Sequence, residues 1–162
     1  MYAHIAASYD ELHAAEQQRK FLRLVSRVTL QAYSSVLDIG CATAHLSSYF
    51  SEQDYLGVDP CKELLEQAPK HVRTLCAAGE DLPLPDNHSQ LVLSLTALHN
   101  YEDPIKGVKE IARVSSHAAL IGVLRKSSRH DEIVNAVKEH FFVRFLFVDQ
   151  HDTLLVCVTR NT

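Results

Sequence analysis

The sequence has no excess of positive charge, no long apolar run and no paired-cysteine spacing, and each absence removes a class of protein. Its 162 residues carry 16 Lys and Arg against 20 Asp and Glu, a formal net charge of −4. That balance offers no field for tight, sequence-indifferent binding to nucleic acid. No stretch of about 18 apolar residues occurs, so a membrane-spanning helix is not expected. The opening residues, MYAHIAASYDELH, lack the basic start and apolar centre of a signal peptide. The expected location is therefore the cytoplasm. Cys41, Cys61, Cys76 and Cys157 are scattered without CxxC spacing and read as reduced core or pocket thiols rather than a disulfide frame. Ten histidines include no HExxH or HxxxH pair, so no metal site is expected. Internal repeats, low-complexity tracts and linkers are also absent.

What is present is core. Hydrophobic residues make up 46% of the chain, enough for one domain over 1–162 and not for two. Its first 34 residues read as a helical cover and 35–162 as an α/β core. Phe21, Leu24, Val25 and Val28 recur at helical spacing between Arg19, Lys20, Arg23 and Arg27, which predicts an amphipathic helix within 8–32. Strands are expected at 36–39, 55–59, 71–76, 90–95 and 118–124. Between them fall a helix opening at Thr43, one over 62–68 ended by Pro69, and one capped by Asp103 with Pro104 at its first position. A fifth helix covers 131–140. Two final strands, 141–148 and 153–159, are separated by so short a link that an antiparallel hairpin is expected. Strand and helix alternating in this way imply a doubly wound parallel sheet, with the hairpin adding an antiparallel strand at one edge.

Ligands of such sheets bind beyond the carboxyl ends of the strands. The stretch VLDIGCATAHL, 36–46, reads as a buried strand, a tight turn at Gly40 and a helix start. Asp59 ends the second strand about twenty residues after Asp38, the spacing at which a carboxylate reaches a ribose diol. Gly79, Glu80 and Asp81 follow the third strand, and Thr96, His99 and Asn100 follow the fourth. Each alone has a plain structural reading as a cap, a loop carboxylate or a packed histidine. Their recurrence at successive strand ends is what points to a pocket.

Four blocks, VLDIGCATAHLS, YLGVDP, AAGEDLPLPD and LVLSLTALHNYEDPIKGVKEIARV, together resemble class I S-adenosylmethionine-dependent methyltransferases, the last being similar to the small-molecule and ubiquinone-biosynthesis-like branch. The resemblance runs from about Tyr9 to Arg125. It implies a seven-stranded Rossmann-like methyltransferase sheet with an antiparallel C-terminal hairpin, and S-adenosylmethionine as cofactor. Residue by residue, it implies that Gly40, Cys41 and Ala42 form the turn against the methionine part, steadied by Asp38. Asp59 would hold the ribose hydroxyls, Pro60 would pack near the adenine, and Gly79 and Glu80 would meet its edge. Thr96 would lie near the sulfonium, and Tyr9 would close over the cofactor. His99 is the candidate general base because its ordinary pKa is near neutrality, and Tyr101 the candidate for orienting the substrate.

The sequence departs from the family pattern where glycine is usual, at Ala42 and Ala44. Alanine at the third position is expected to start a helix and be easily accepted. At the second it narrows the ligand's room and costs about a kcal/mol if φ is positive there. Ala78 also replaces an acidic residue that would meet the adenine amino group. GxGxxG is absent, which disfavours a dinucleotide-dependent dehydrogenase. The (D/N)PP(Y/F) segment of amino-methylating relatives is missing after the fourth strand, so a DNA adenine or a protein glutamine is a disfavoured acceptor. The expected reaction is methyl transfer to an unidentified acceptor, a small molecule being favoured over RNA or protein. The alternative is a non-catalytic or partner-dependent methyltransferase-like subunit, or an RNA or protein methyltransferase, and the assembly to consider is a homodimer or a complex with a partner subunit. Phe141, Phe142, Phe145 and Phe147 are expected in the hairpin core, the other reading being an exposed edge that pairs with another chain.

Overall fold

The computed structural model describes residues 6–160, with side chains from His13 onward. The first helix, α1, is Ala6–Val25. Phe21 and Leu24 are fully buried on the sheet, as the helical spacing predicts. The helix is shorter than the pattern suggested. From Arg27 its bonds tighten to i→i+3, and the chain leaves through a separate 3-10 turn at Leu30–Ala32.

The sheet strands are β1 (Ser35–Ile39), β2 (Asp54–Asp59), β3 (Arg73–Cys76), β4 (Ser89–Leu95), β5 (Ser115–Leu124), β6 (Phe141–Val148) and β7 (Asp152–Thr159). Their spatial order is β3-β2-β1-β4-β5-β7-β6. The five strands from β3 to β5 are parallel, and β7 is antiparallel to both its neighbours. Alternation along each strand divides the core in two. Val36, Leu91, Leu93 and Leu120 face α1. Leu37, Ile39, Val92 and Ile121 face the opposite layer, where Val108, Ile111, Ile133 and Val137 come from two helices. A short α2 (Lys62–Leu65) precedes those helices, which are α3 (Pro104–Val114) and α4 (His130–His140). Asp103 caps α3 as expected, accepting from the Lys106 N–H at 3.0 Å. No helix among the described residues is long and apolar enough to cross a membrane.

Two expectations about the hairpin need correction. The antiparallel strand does not lie at the sheet edge: β7 is inserted between β5 and β6, and β6 takes the edge. The reason is burial, since nearly every residue of β7 is covered on both faces whereas most of β6 is not. The four phenylalanines also do not share one fate. Phe141 is buried, but a register shift between Val143 and Phe145 breaks the alternation, and Phe142 and Phe145 are exposed. The guanidinium groups of Arg160 and Arg27 cover their rings at 4.4 and 5.1 Å.

Candidate functional site

The turn after β1 folds back on β2. The N–H groups of Gly40 and Cys41 both donate to the Val58 carbonyl, at 2.7 and 3.0 Å. Gly40 has φ +79°, and a Cβ there would stand 2.7 Å from that of Ala97. Ala42 and Ala44 are left-handed as well, with φ of 52° and 57°. The expectation that Ala44 is easily accepted as a helix start is therefore corrected. It precedes a 3-10 helix, His45–Phe50, in a conformation that costs an alanine about 1–2 kcal/mol. Burial offsets part of that cost, because Ala44 is packed in the core under α1. The Cys41 side chain turns away from the strand ends toward β2, where a Cβ on Gly57 would meet its Sγ at 2.7 Å. Burial pushes its thiol well above the ordinary range.

Two carboxylates flank this turn. Asp59 accepts the Ala42 N–H on Oδ2 at 3.0 Å and the Cys61 N–H on Oδ1 at 2.9 Å. Burial raises its pKa, and those two donors oppose the rise. Asp38 is buried beneath the turn and accepts the Tyr55 hydroxyl at 2.6 Å. Burial pushes its carboxyl up to about 7, against the Tyr55 hydrogen bond and with added repulsion from Asp59.

A cavity of about 220 Å³ opens beside them at the carboxyl edge of the sheet. Gly40, Ala42, Asp59, Pro60, Gly79, Glu80, Thr96 and Tyr101 all line it, so most of the sequence-named residues meet in one place. Asp38, Cys41 and His99 do not line it, and the Tyr9 side chain lies outside the described residues. Glu80 also accepts the Asp103 N–H at 2.9 Å, which ties the loop after β3 to the start of α3. The Tyr101 ring is held between two glycines. A Cβ on Gly79 would lie 2.1 Å from its hydroxyl, and one on Gly107 2.5 Å from its ring. The Tyr101 hydroxyl is buried without a partner, and burial together with the charges of Asp59 and Glu80 raises its pKa.

The sequence reading missed what stands behind Thr96. This residue is also left-handed, φ 57°, unusual for a β-branched side chain. Its hydroxyl accepts from Lys20 Nζ at 2.9 Å and donates to Asp152 Oδ2. Lys20 and Asp152 are themselves paired at 3.2 Å, with 2% and 0% of their side chains exposed. Nothing in the local sequence separates Lys20 from the other basic residues of α1, or marks Asp152 at the start of β7. His99 lies close enough to feel both charges: burial lowers its pKa, Asp152 opposes this and Lys20 adds to it. Its Nδ1 is buried and unpartnered. Asn100 was named after the fourth strand without a role, and it lines the cavity.

The cavity, bordered by Asp59 and Glu80, thus lies at the switch point of a doubly wound sheet, where ligands of such folds bind. The family model described as a methyltransferase domain matches residues 37–121, just over half of the chain, and the chain belongs to that family. It is 33% identical over 101 residues to the uncharacterised methyltransferase YcgJ of Bacillus subtilis, covering 56% of this chain and 40% of that protein. It is 34% identical over 124 residues to a malonyl-[acyl-carrier protein] O-methyltransferase of Alcanivorax borkumensis, covering 70% and 42%. The chain thus spans about two fifths of the length of these curated relatives. In fold it is similar to a chain of the complex between the Haloferax volcanii Trm112 methyltransferase activator and a methyltransferase, with TM-score 0.81, 16% identity, and 98% and 97% of the two chains covered. A Methanococcus maripaludis protein provisionally described as an S-adenosyl-L-methionine-dependent methyltransferase aligns with TM-score 0.76, 14% identity, and 99% and 94% covered.

Membership of this family implies S-adenosylmethionine as the cofactor. The residues present fit it. Asp59 offers a carboxylate whose two oxygens each hold one backbone N–H and keep a lone pair for a diol. The buried Tyr101 hydroxyl awaits a partner on the same cavity.

Proposed function

We propose that this chain is, as one domain over 1–162, an S-adenosylmethionine-dependent methyltransferase acting on a small molecule. The observation that carries the reading is the Asp59 carboxylate, fixed by Ala42 and Cys61 on the wall of a cavity shared with Gly79, Glu80, Thr96 and Tyr101. In this reading Asp59 holds the ribose hydroxyls, Gly79, Glu80 and Pro60 border the adenine, and Gly40, Cys41 and Ala42 turn against the methionine part over Asp38. The bound cofactor supplies an already activated methyl group, so the chain need only hold an acceptor in line and take its proton. His99, although it does not line the cavity, is the proton acceptor in this account, its pKa lowered by burial, and Tyr101 orients what enters the cavity. No Lys or Arg lines the cavity, which disfavours an anionic acceptor.

Calorimetry with S-adenosylmethionine tests the reading. Binding is expected for the wild type, and Asp59→Ala should weaken it about tenfold to a hundredfold, the loss of two hydrogen bonds to a charged group. No binding at millimolar ligand would overturn it. A second reading, a partner-dependent subunit, is favoured by the Haloferax relative, which was solved with an activator. A strict monomer by light scattering that turns the cofactor over alone would count against that second reading.

A further inference from the structure

Asp152 opens β7, and because β7 runs antiparallel to β5, pairing with Leu124, this places it at the carboxyl edge where the cavity lies. Its side chain is fully buried. Oδ2 takes both the Thr96 hydroxyl and Lys20 Nζ, whereas Oδ1 has no partner. Thr96 borders the cavity directly. Across the strand pair, a Cβ on Gly122 would lie 3.3 Å from Oδ2, a contact that would push the carboxylate back by a few tenths of an ångström.

The charges paired through Lys20 do not cancel. Lys20 is shared between Asp152 and Glu16, whose Oε1 lies 3.4 Å from its ammonium. One cation thus serves two carboxylates. His99 feels both charges, and burial lowers its pKa. Asp59 and Glu80 add acid to the cavity wall, and no Lys or Arg is among its lining residues. A buried ion pair returns little stability unless the remaining lone pairs are satisfied, and Asp152 Oδ1 is not. In a dry setting such a charge acts over a longer range than it would in water.

We propose that Asp152 adds to the preference of the cavity for a cationic over a neutral ligand. Resting on the cofactor reading above, this means that Asp152 favours the sulfonium form over the neutral thioether left after methyl transfer. Asp152 acts through Thr96 as a positioning residue: the hydroxyl proton is committed to the carboxylate, so Thr96 offers the cavity a lone pair rather than a donor.

The test needs no methyl acceptor. Dissociation constants for S-adenosylmethionine and S-adenosylhomocysteine are measured by calorimetry on wild type, Asp152→Asn and Glu16→Gln, with circular dichroism to establish folding. Asp152→Asn should cut the preference for the sulfonium about five- to tenfold. Glu16→Gln, at a position 35% exposed, should cut it about twofold in the same direction. A merely structural loss would weaken both ligands alike. If both ligands bind and Asp152→Asn leaves their ratio unchanged, the inference is overturned and the cofactor reading stands. If neither ligand binds the wild type, both fall. Should Asp152→Asn not fold, Glu16→Gln decides, and an unchanged ratio there overturns the inference.

Discussion

Tyr101 occupies a slot that only two glycines leave open. In Gly79→Ala the new methyl would fall 2.1 Å from the hydroxyl, and the ring cannot retreat because Gly107 backs it. The side chain must then swing into the cavity. Such overpacking should cost about 1–3 kcal/mol in chemical denaturation and weaken S-adenosylmethionine binding. Ala42 raises the opposite case, an alanine held at positive φ on the cavity wall. Neither Gly79 nor Tyr101 announces this packing in the sequence, where they stand 22 positions apart in separate loops.

Among the elements, α1 is fastened to the sheet by more than its apolar stripe. Arg19 and Arg23 both reach Asp149 in the β6–β7 turn, at 2.5 and 3.0 Å, and Lys20 reaches Asp152 three residues on. Burial alone would raise the Asp149 pKa, but Arg19, the Gln150 N–H and Arg23 together hold it below the ordinary carboxylate value. A depressed pKa means that stability is present above the unfolded value near 4 and lost as pH falls through the folded one. Asp149→Ala should therefore cost about 1 kcal/mol at pH 7 and almost nothing near pH 2, and hydrogen exchange should rise in α1. The helix itself was legible from its spacing. Its clamp was not, since it joins residues about 130 positions apart.

For the whole molecule, the acids gathered at the carboxyl edge set a pH dependence. Asp38 has a pKa of about 7 in the fold, above its unfolded value of 3.8. It therefore binds a proton more tightly in the folded state, and stability must fall as pH rises between those values and level off above about 7. The slope from this one group is at most about 1.4 kcal/mol per pH unit. Urea denaturation from pH 4.5 to 8 should show wild type losing ground steadily against Asp38→Asn. A difference independent of pH would refute the assignment.

The local sequence determined the strand and helix order, the cap at Asp103, the parallel sheet and the meeting of Gly40, Asp59, Glu80 and Thr96 at strand ends, because periodicity and turn chemistry act over a few residues. It also marked the alanines at the glycine positions, but not that Ala44 is left-handed, since helix propensity is read without φ. Only the tertiary structure decided that β7 lies inside the sheet, that Phe142 and Phe145 face outward, and that Lys20 and Asp152 close on Thr96. Those outcomes depend on which surfaces are covered once distant segments pack, and no local pattern carries that information.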